Sequence, residues 1–180
     1  MNGALGRGLR GSALEDALNQ TNEIYLRHEL ALVQKVPTPI VPTQIDSSTG
    51  RISEAFFDQK STVDYIGAVQ GIPVCFDAKE CSADRFPLKN IAPHQAAFME
   101  AMERQGGISF FVIFFTGRGK CYYLRLAKYK EFAEREKNGG YKSFSIDEME
   151  EEFLLNSHDG LLIPYLDGLK KDLEYREEKE

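Results

Sequence analysis

The 180-residue sequence predicts an α/β fold in which helices pack on a mixed central β-sheet. Three features carry that prediction. The elements run as helix, several strands, helix, two strands and then helices, an order that suits a mixed sheet covered by helices. Ile108 to Phe115, ISFFVIFF, is a continuous apolar and aromatic run of strand length, as a central strand buried on both faces requires. Ser12-Ala13-Leu14-Glu15 has the S-x-x-E form of a capping box, and Leu14, Ala17, Leu18, Thr21 and Tyr25 then recur at helical spacing.

The capping box opens a first helix over about 13 to 30. Leu32 to Val36 reads as a strand that stops at Pro37-Thr38-Pro39. Ile40 to Ile45 and Ile52 to Phe57 pair as a hairpin across Asp46-Ser47-Ser48-Thr49-Gly50. Val63 to Ile66 and Pro73 to Lys79 flank Gly71 as two more strands, and Phe86-Pro87 marks a loop. Pro93 opens a helix through Arg104, at a position where its missing N–H would be unpaired anyway. Cys121 to Leu126 returns beside the apolar run across Thr116-Gly117-Arg118-Gly119. A helix over Lys128 to Glu136, a second begun by Ser145 with Asp147 and Glu148 in its first turn, and a last one over Pro164 to Glu174 complete the chain.

Length and 42% hydrophobic residues suit one domain, 1–180, with a sizeable core. The sequence contains no run of 18 apolar residues and no signal-peptide pattern, so the expectation is a cytoplasmic protein without a membrane partner. Cys75, Cys81 and Cys121 form no C-x-x-C pair and are expected as free thiols. His28, His94 and His158 are too scattered for a zinc site. The net charge of −6 argues against a nucleic-acid partner only until it is divided along the chain. Residues 131–180 hold 15 acids and 7 bases (−8), whereas residues 1–130 hold 13 acids and 15 bases (+2).

The chemistry is concentrated in STVDYIGAVQGIPVCFDAKE, Ser61 to Glu80. On an extended Asp77-Ala78-Lys79, the acid and the lysine project from one face and Ala78 from the other. With Asp64, two carboxylates could hold a divalent cation beside an ammonium, the equipment for phosphodiester hydrolysis. Spacing alone leaves a plainer reading open, in which Glu15 only caps its helix, Asp64 ends a strand, and Asp77 and Lys79 form a surface ion pair worth about 0 to 1 kcal/mol.

The surrounding blocks sharpen the choice. LRGSALEDALNQTNEIYL, KVPTPI, EAFFDQKSTVDYIG, DAKE, FPLKNIAPHQ and REKNGGYKS, in this order between Arg10 and Leu173, resemble the RecU family of Holliday-junction resolvases, which have the restriction-endonuclease-like PD-(D/E)xK fold. The resemblance implies Asp64 and Asp77 as metal-binding carboxylates, Thr62 and Gln95 as further members of a magnesium site, Lys79 as stabiliser of the transition state, and Glu15 approaching the same metal from the first helix. It implies Mg²⁺, with Mn²⁺ as an alternative, and DNA contacts from Arg10, Gly11, Arg51 and Lys60. It also implies a homodimer acting on four-way DNA junctions, a recombinase as a further partner, and a stalk-like hairpin at about 41–57. This chain departs from the family in having Asp at 77, where Glu is usual, in a short stretch before Arg10, and in a short stalk with few bases. Cleavage of other DNA substrates, or junction binding and recombinase regulation without cleavage, therefore stand as alternatives.

Overall fold

The computed structural model describes residues 13–57 and 62–178. Helix α1 (Ala13–Arg27) leads into β1 (Ala31–Lys35), followed by β2 (Ile40–Ile45), β3 (Ile52–Phe57), β4 (Tyr65–Val69) and β5 (Ile72–Cys81). The short β6 (Arg85–Pro87), α2 (Pro93–Arg104), β7 (Ile108–Phe115), β8 (Lys120–Arg125), α3 (Leu126–Lys137), β9 (Ser143–Ser145) and α4 (Tyr165–Glu177) complete the order. Five strands form the central sheet in the order β1-β4-β5-β7-β8. Only β5 and β7 are parallel, joined by α2 as a crossover; the other neighbours are antiparallel. β7 thus has a strand on each side, as its apolar run predicts.

Each face of the sheet has its own core. Leu14, Leu18 and Tyr25 of α1 and Tyr165 and Leu169 of α4 cover one face, against Val74, Phe76, Phe110 and Tyr123. Met99 of α2 and Tyr129 and Phe132 of α3 cover the other, against Cys75, Phe111, Ile113 and Phe115. A row of nearly parallel rings crosses the first face. Tyr65 stacks on Phe76 at 4.7 Å between centroids, Phe76 on Phe110 at 4.7 Å, and Phe110 on Tyr123 at 4.2 Å. Such stacks contribute about 0.5–1.5 kcal/mol per pair beyond burial.

The strands and the helices α2, α3 and α4 agree with the sequence expectations to within a few residues, with three differences. The first helix stops at Arg27, because Glu29 turns left-handed (φ 56°) and Leu30 N–H bonds Tyr25 C=O at 2.9 Å, although the apolar spacing continues through Leu26 and Leu30. Phe86-Pro87 is no loop: β6 pairs with β9, and Phe86 stacks on Phe144. The helix expected from Ser145 is two 3₁₀ turns, Ile146–Glu148 and Glu151–Phe153. The Ser145–Glu148 capping box does form, but the chain then extends through Met149 and Glu150, which sends Met149 into one core and Phe153 into the other.

β2 and β3 pair only with each other, as a hairpin with irregular register at Gln44. Its turn is closed by Asp46, whose Oδ1 accepts from the N–H of Ser48 and Thr49. Among the described residues the three cysteines are free thiols, Cys75 and Cys121 buried. No described helix is long and apolar enough to cross a membrane.

At Gly67 on β4, a Cβ would lie 2.1 Å from the Leu32 carbonyl oxygen and 2.6 Å from Val33 Cα on β1. Backbone cannot yield there without opening the β1–β4 ladder. Gly67→Ala is expected to lower unfolding free energy by about 2–3 kcal/mol, read by urea denaturation; an unchanged midpoint would contradict this close approach.

Candidate active site

The row of rings decides where the acids go. Tyr65 and Phe76 are paired across β4 and β5, and both point into the α1 face. Their chain neighbours Asp64 and Asp77 are thereby turned toward the face carrying α2. β4 begins only at Tyr65, opposite Phe76, while β5 continues to Cys81, so the edge of β5 beyond Phe76 lacks a β4 partner. The Asp64 carboxylate takes over the vacant rung: its Oδ2 accepts the Ala78 N–H at 2.9 Å. The Asp64 carbonyl in turn accepts Val36 N–H at 2.8 Å, joining the end of β1 to the same point.

Asp77 is completely buried. Gln95, in the first turn of α2, donates from Nε2 to Asp77 Oδ1 at 2.7 Å. The Gln95 Oε1 accepts Ala92 N–H at 3.2 Å, which fixes the amide so that its NH₂ end faces the acid. Lys79, one strand repeat further on, forms an ion pair with Asp77 through Oδ2, and that oxygen accepts no hydrogen bond among the described residues. Burial pushes the Asp77 carboxyl up from 3.8 to about 7; the Lys79 ammonium opposes the shift and the adjoining Asp64 adds to it.

The structure therefore brings Asp64, Asp77, Lys79 and Gln95 together. Thr62 sits half-buried in the bend two residues before Asp64. Glu15 lies on α1, where its carboxylate pairs with Lys35 Nζ at 2.7 Å. Among the described residues no three His, Cys, Asp or Glu side chains form one metal-holding group. Arg51 is exposed at the turn end of the hairpin, away from this cluster. Arg10, Gly11 and Lys60, with the Ser12 cap, lie outside the described residues.

Two neighbours escaped the sequence reading. Lys35, at the end of β1, neutralises Glu15, and no local pattern announces that pairing. Glu80, on the face of β5 opposite Lys79, accepts Leu14 N–H on Oε1 at 3.1 Å and so satisfies one of the free donors that begin α1. The partners are 66 residues apart, and no local pattern announces them.

Two carboxylates, one with a buried oxygen held by the Lys79 ammonium, fit a divalent cation that keeps several waters and takes its remaining oxygens from a phosphate. A mixed sheet under helices, with an acid-x-lysine strand beside a second acid, is the architecture of the PD-(D/E)xK nucleases. The chain belongs to the RecU family: the family model described as Recombination protein U matches residues 9–171. The Holliday junction resolvase RecU of Pediococcus pentosaceus is 38% identical over 172 residues, covering 93% of this chain and 86% of that protein. That of Bacillus pumilus is 43% identical over 146 residues, covering 79% and 70%. Among solved structures, Archaeoglobus fulgidus Hjc, a Holliday junction resolvase, aligns at 6% identity with a TM-score of 0.36, over 62% of this chain and 74% of its own.

A buried acid with a raised pKa costs the metal-free protein stability as pH rises. From about pH 4 to about pH 7 the unfolded chain has lost the Asp77 proton while the folded chain holds it, so unfolding free energy falls across that window. Asp77→Asn is expected to stabilise the metal-free protein by on the order of 2 kcal/mol at pH 8 and by nothing near pH 4. Urea unfolding in EDTA at the two pH values measures it; equal effects at both would contradict the assignment.

Proposed function

We propose that this chain is a homodimeric, Mg²⁺-dependent endonuclease that resolves four-way DNA junctions in the cytoplasm by hydrolysing phosphodiester bonds at the Asp64–Asp77–Lys79 cluster. The observation that carries the reading is the convergence of two carboxylates, a lysine and Gln95 at the start of β4, in a chain whose relatives are named Holliday junction resolvases. The cation, Mg²⁺ or Mn²⁺, supplies charge neutralisation and an activated water when bound. The chain's own groups do the rest. Asp64 and Asp77 hold that cation, the ionised form of Asp77 being stabilised when positive charge arrives. Gln95 keeps the Asp77 carboxylate at one angle. The Lys79 ammonium, exchanging its hold on Asp77 for the scissile phosphate, stabilises the charge that develops on the phosphoryl oxygens. Thr62 and, from α1, Glu15 would complete the surroundings of the cation. DNA is held further by Arg10, Gly11, Arg51 and Lys60, and a recombinase is a further partner.

The hairpin is read as the stalk of the family. Ile45, Ile52 and Phe56 are about half exposed on it, which supports a second copy of the chain or the junction centre as its cover. A twofold dimer supplies two equivalent sites for incisions in opposed strands.

Incubation of the wild type and Lys79→Ala with labelled four-way, flap and linear DNA, with and without Mg²⁺, tests the activity. The wild type is expected to cut the four-way junction only with metal, and Lys79→Ala to cut about 10²–10³-fold more slowly. No metal-dependent product rejects the nuclease reading, and equal cutting of all three substrates rejects junction selectivity. Light scattering at micromolar protein is expected to give twice the chain mass; a monomer would oppose paired incision.

A further inference from the structure

The β6–β9 ribbon carries an exposed basic and aromatic surface that the catalytic cluster does not use. Arg85 on β6 pairs with Ser145, Phe86 with Phe144 and Pro87 with Ser143, and the ribbon continues in a bond from Leu88 N–H to the Lys142 carbonyl at 3.0 Å. Lys142 is thereby held by its carbonyl to the residue before Lys89. Both are exposed, and neither has an ion-pair partner among the described residues. Tyr141, next to Lys142, is 70% exposed, an unusual position for a large ring. The guanidinium groups of Arg85 and Arg135 lie 5.2 and 5.9 Å from its centroid.

This surface is built rather than loose. Phe144 stacks on Phe86 at 5.2 Å and on Phe132 at 4.7 Å beneath it. Glu148 ties Arg135 and Arg85 to the 3₁₀ turn that follows β9, and Arg85 also donates to Ser143. Gly140 packs against Arg135 so closely that a Cβ would fall 2.8 Å from the Arg135 carbonyl oxygen, and Gly139 supplies the left-handed turn (φ 83°) before it. Tyr141 is delivered to the surface by that turn.

Its charge and place indicate what it holds. Residues 131–180 are net −8, yet Arg85, Arg135, Lys89 and Lys142 with Lys130 and Lys137 of the groove that Lys89 lines outnumber Glu148, Glu100, Glu134 and Glu136, leaving this surface net positive. Phe86, Leu88 and Phe144 pack in the core that lies under α2, on the side of the sheet toward which Asp77 turns. Lys89 lies six residues ahead of Gln95 in the segment that leads into α2. A branched DNA seated with one phosphodiester at Asp77 and Lys79 extends a duplex arm beyond the cluster, and arm phosphates need cations there.

The geometry points to the Arg85–Lys89–Tyr141–Lys142 surface as a second DNA-binding site, which grips the phosphate backbone of a duplex arm beside the catalytic cluster. It rests on the junction-nuclease reading and adds an anchor to it. Lys89 and Lys142 neutralise phosphates; Tyr141 packs against sugar and phosphate and holds the two guanidiniums in place.

Anisotropy titrations of a labelled four-way junction in EDTA, over a series of salt concentrations, test it on the wild type, Lys89→Gln/Lys142→Gln, Tyr141→Ala and, as a control on α4, Lys170→Gln. The double variant is expected to bind more weakly, with a log–log salt slope shallower by about 2, roughly one unit for each phosphate that is no longer neutralised. Tyr141→Ala is expected to weaken binding with the slope unchanged, because no charge is removed, and Lys170→Gln to match the wild type. A wild-type slope in the double variant overturns the inference, as does an equal loss per charge in Lys170→Gln. If the wild type binds and cuts the junction while the double variant keeps its slope, only this second site falls. A wild type that neither binds nor cuts takes both readings down.

Discussion

The stacking of Tyr65, Phe76, Phe110 and Tyr123 across four strands is the constraint on which the rest of the molecule depends. In a sheet, a slip of one residue turns every side chain to the other face. Four large rings packed at 4.2–4.7 Å cannot slip without emptying the core that α1 and α4 close. Their register therefore sets the faces of the residues beside them, and Asp64 and Asp77 are the immediate neighbours of the first two rings. The hydrophobic effect holds the rings; the acids are placed as a consequence.

That placement puts a carboxylate where a carboxylate is costly. Asp77 is buried between β5 and α2, and no other described group offers its Oδ2 a hydrogen bond in place of the lysine ammonium. Gln95 relieves the other oxygen and at the same time commits its own carbonyl to the start of α2, so the helix and the acid share one amide. Strain of this kind is common where a site must accept a cation, because positive charge entering the site removes the penalty that folding incurred.

The parts of the fold legible in the sequence were those written in local pattern. ISFFVIFF could be nothing but a buried strand, Pro93 marked the start of α2 to the residue, and Asp77-Ala78-Lys79 carried its same-face geometry in the alternation of a strand. What stayed hidden was decided by partners remote in the chain. Phe86-Pro87 becomes a strand only because Phe144 arrives 58 positions later to pair with it. Ser145 has every local sign of a helix start, yet Met149 and Phe153 must enter opposite cores, and a continuing helix could not deliver both. The approach of Lys35 to Glu15 and the capping of Leu14 by Glu80 likewise need the sheet to exist first. Gln95 was singled out by resemblance, but its orientation was visible only once Ala92 and Asp77 stood on either side of it.

Two segments far apart in the sequence meet at α1. Tyr165 Oη donates to Asn22 at 2.6 Å and Ile163 N–H to Thr21 at 3.2 Å, spanning more than 140 residues. The face of the sheet behind the catalytic strand is thus covered by α1 and α4, two helices far apart in the sequence. During synthesis α1 waits, its apolar stripe without its final cover, until Tyr165 has left the ribosome, and long-range closures of this kind come late in folding. Synthesis consequently makes the two strands that flank the acids, complete by Cys81, well before Tyr165 and Leu169, which close their core.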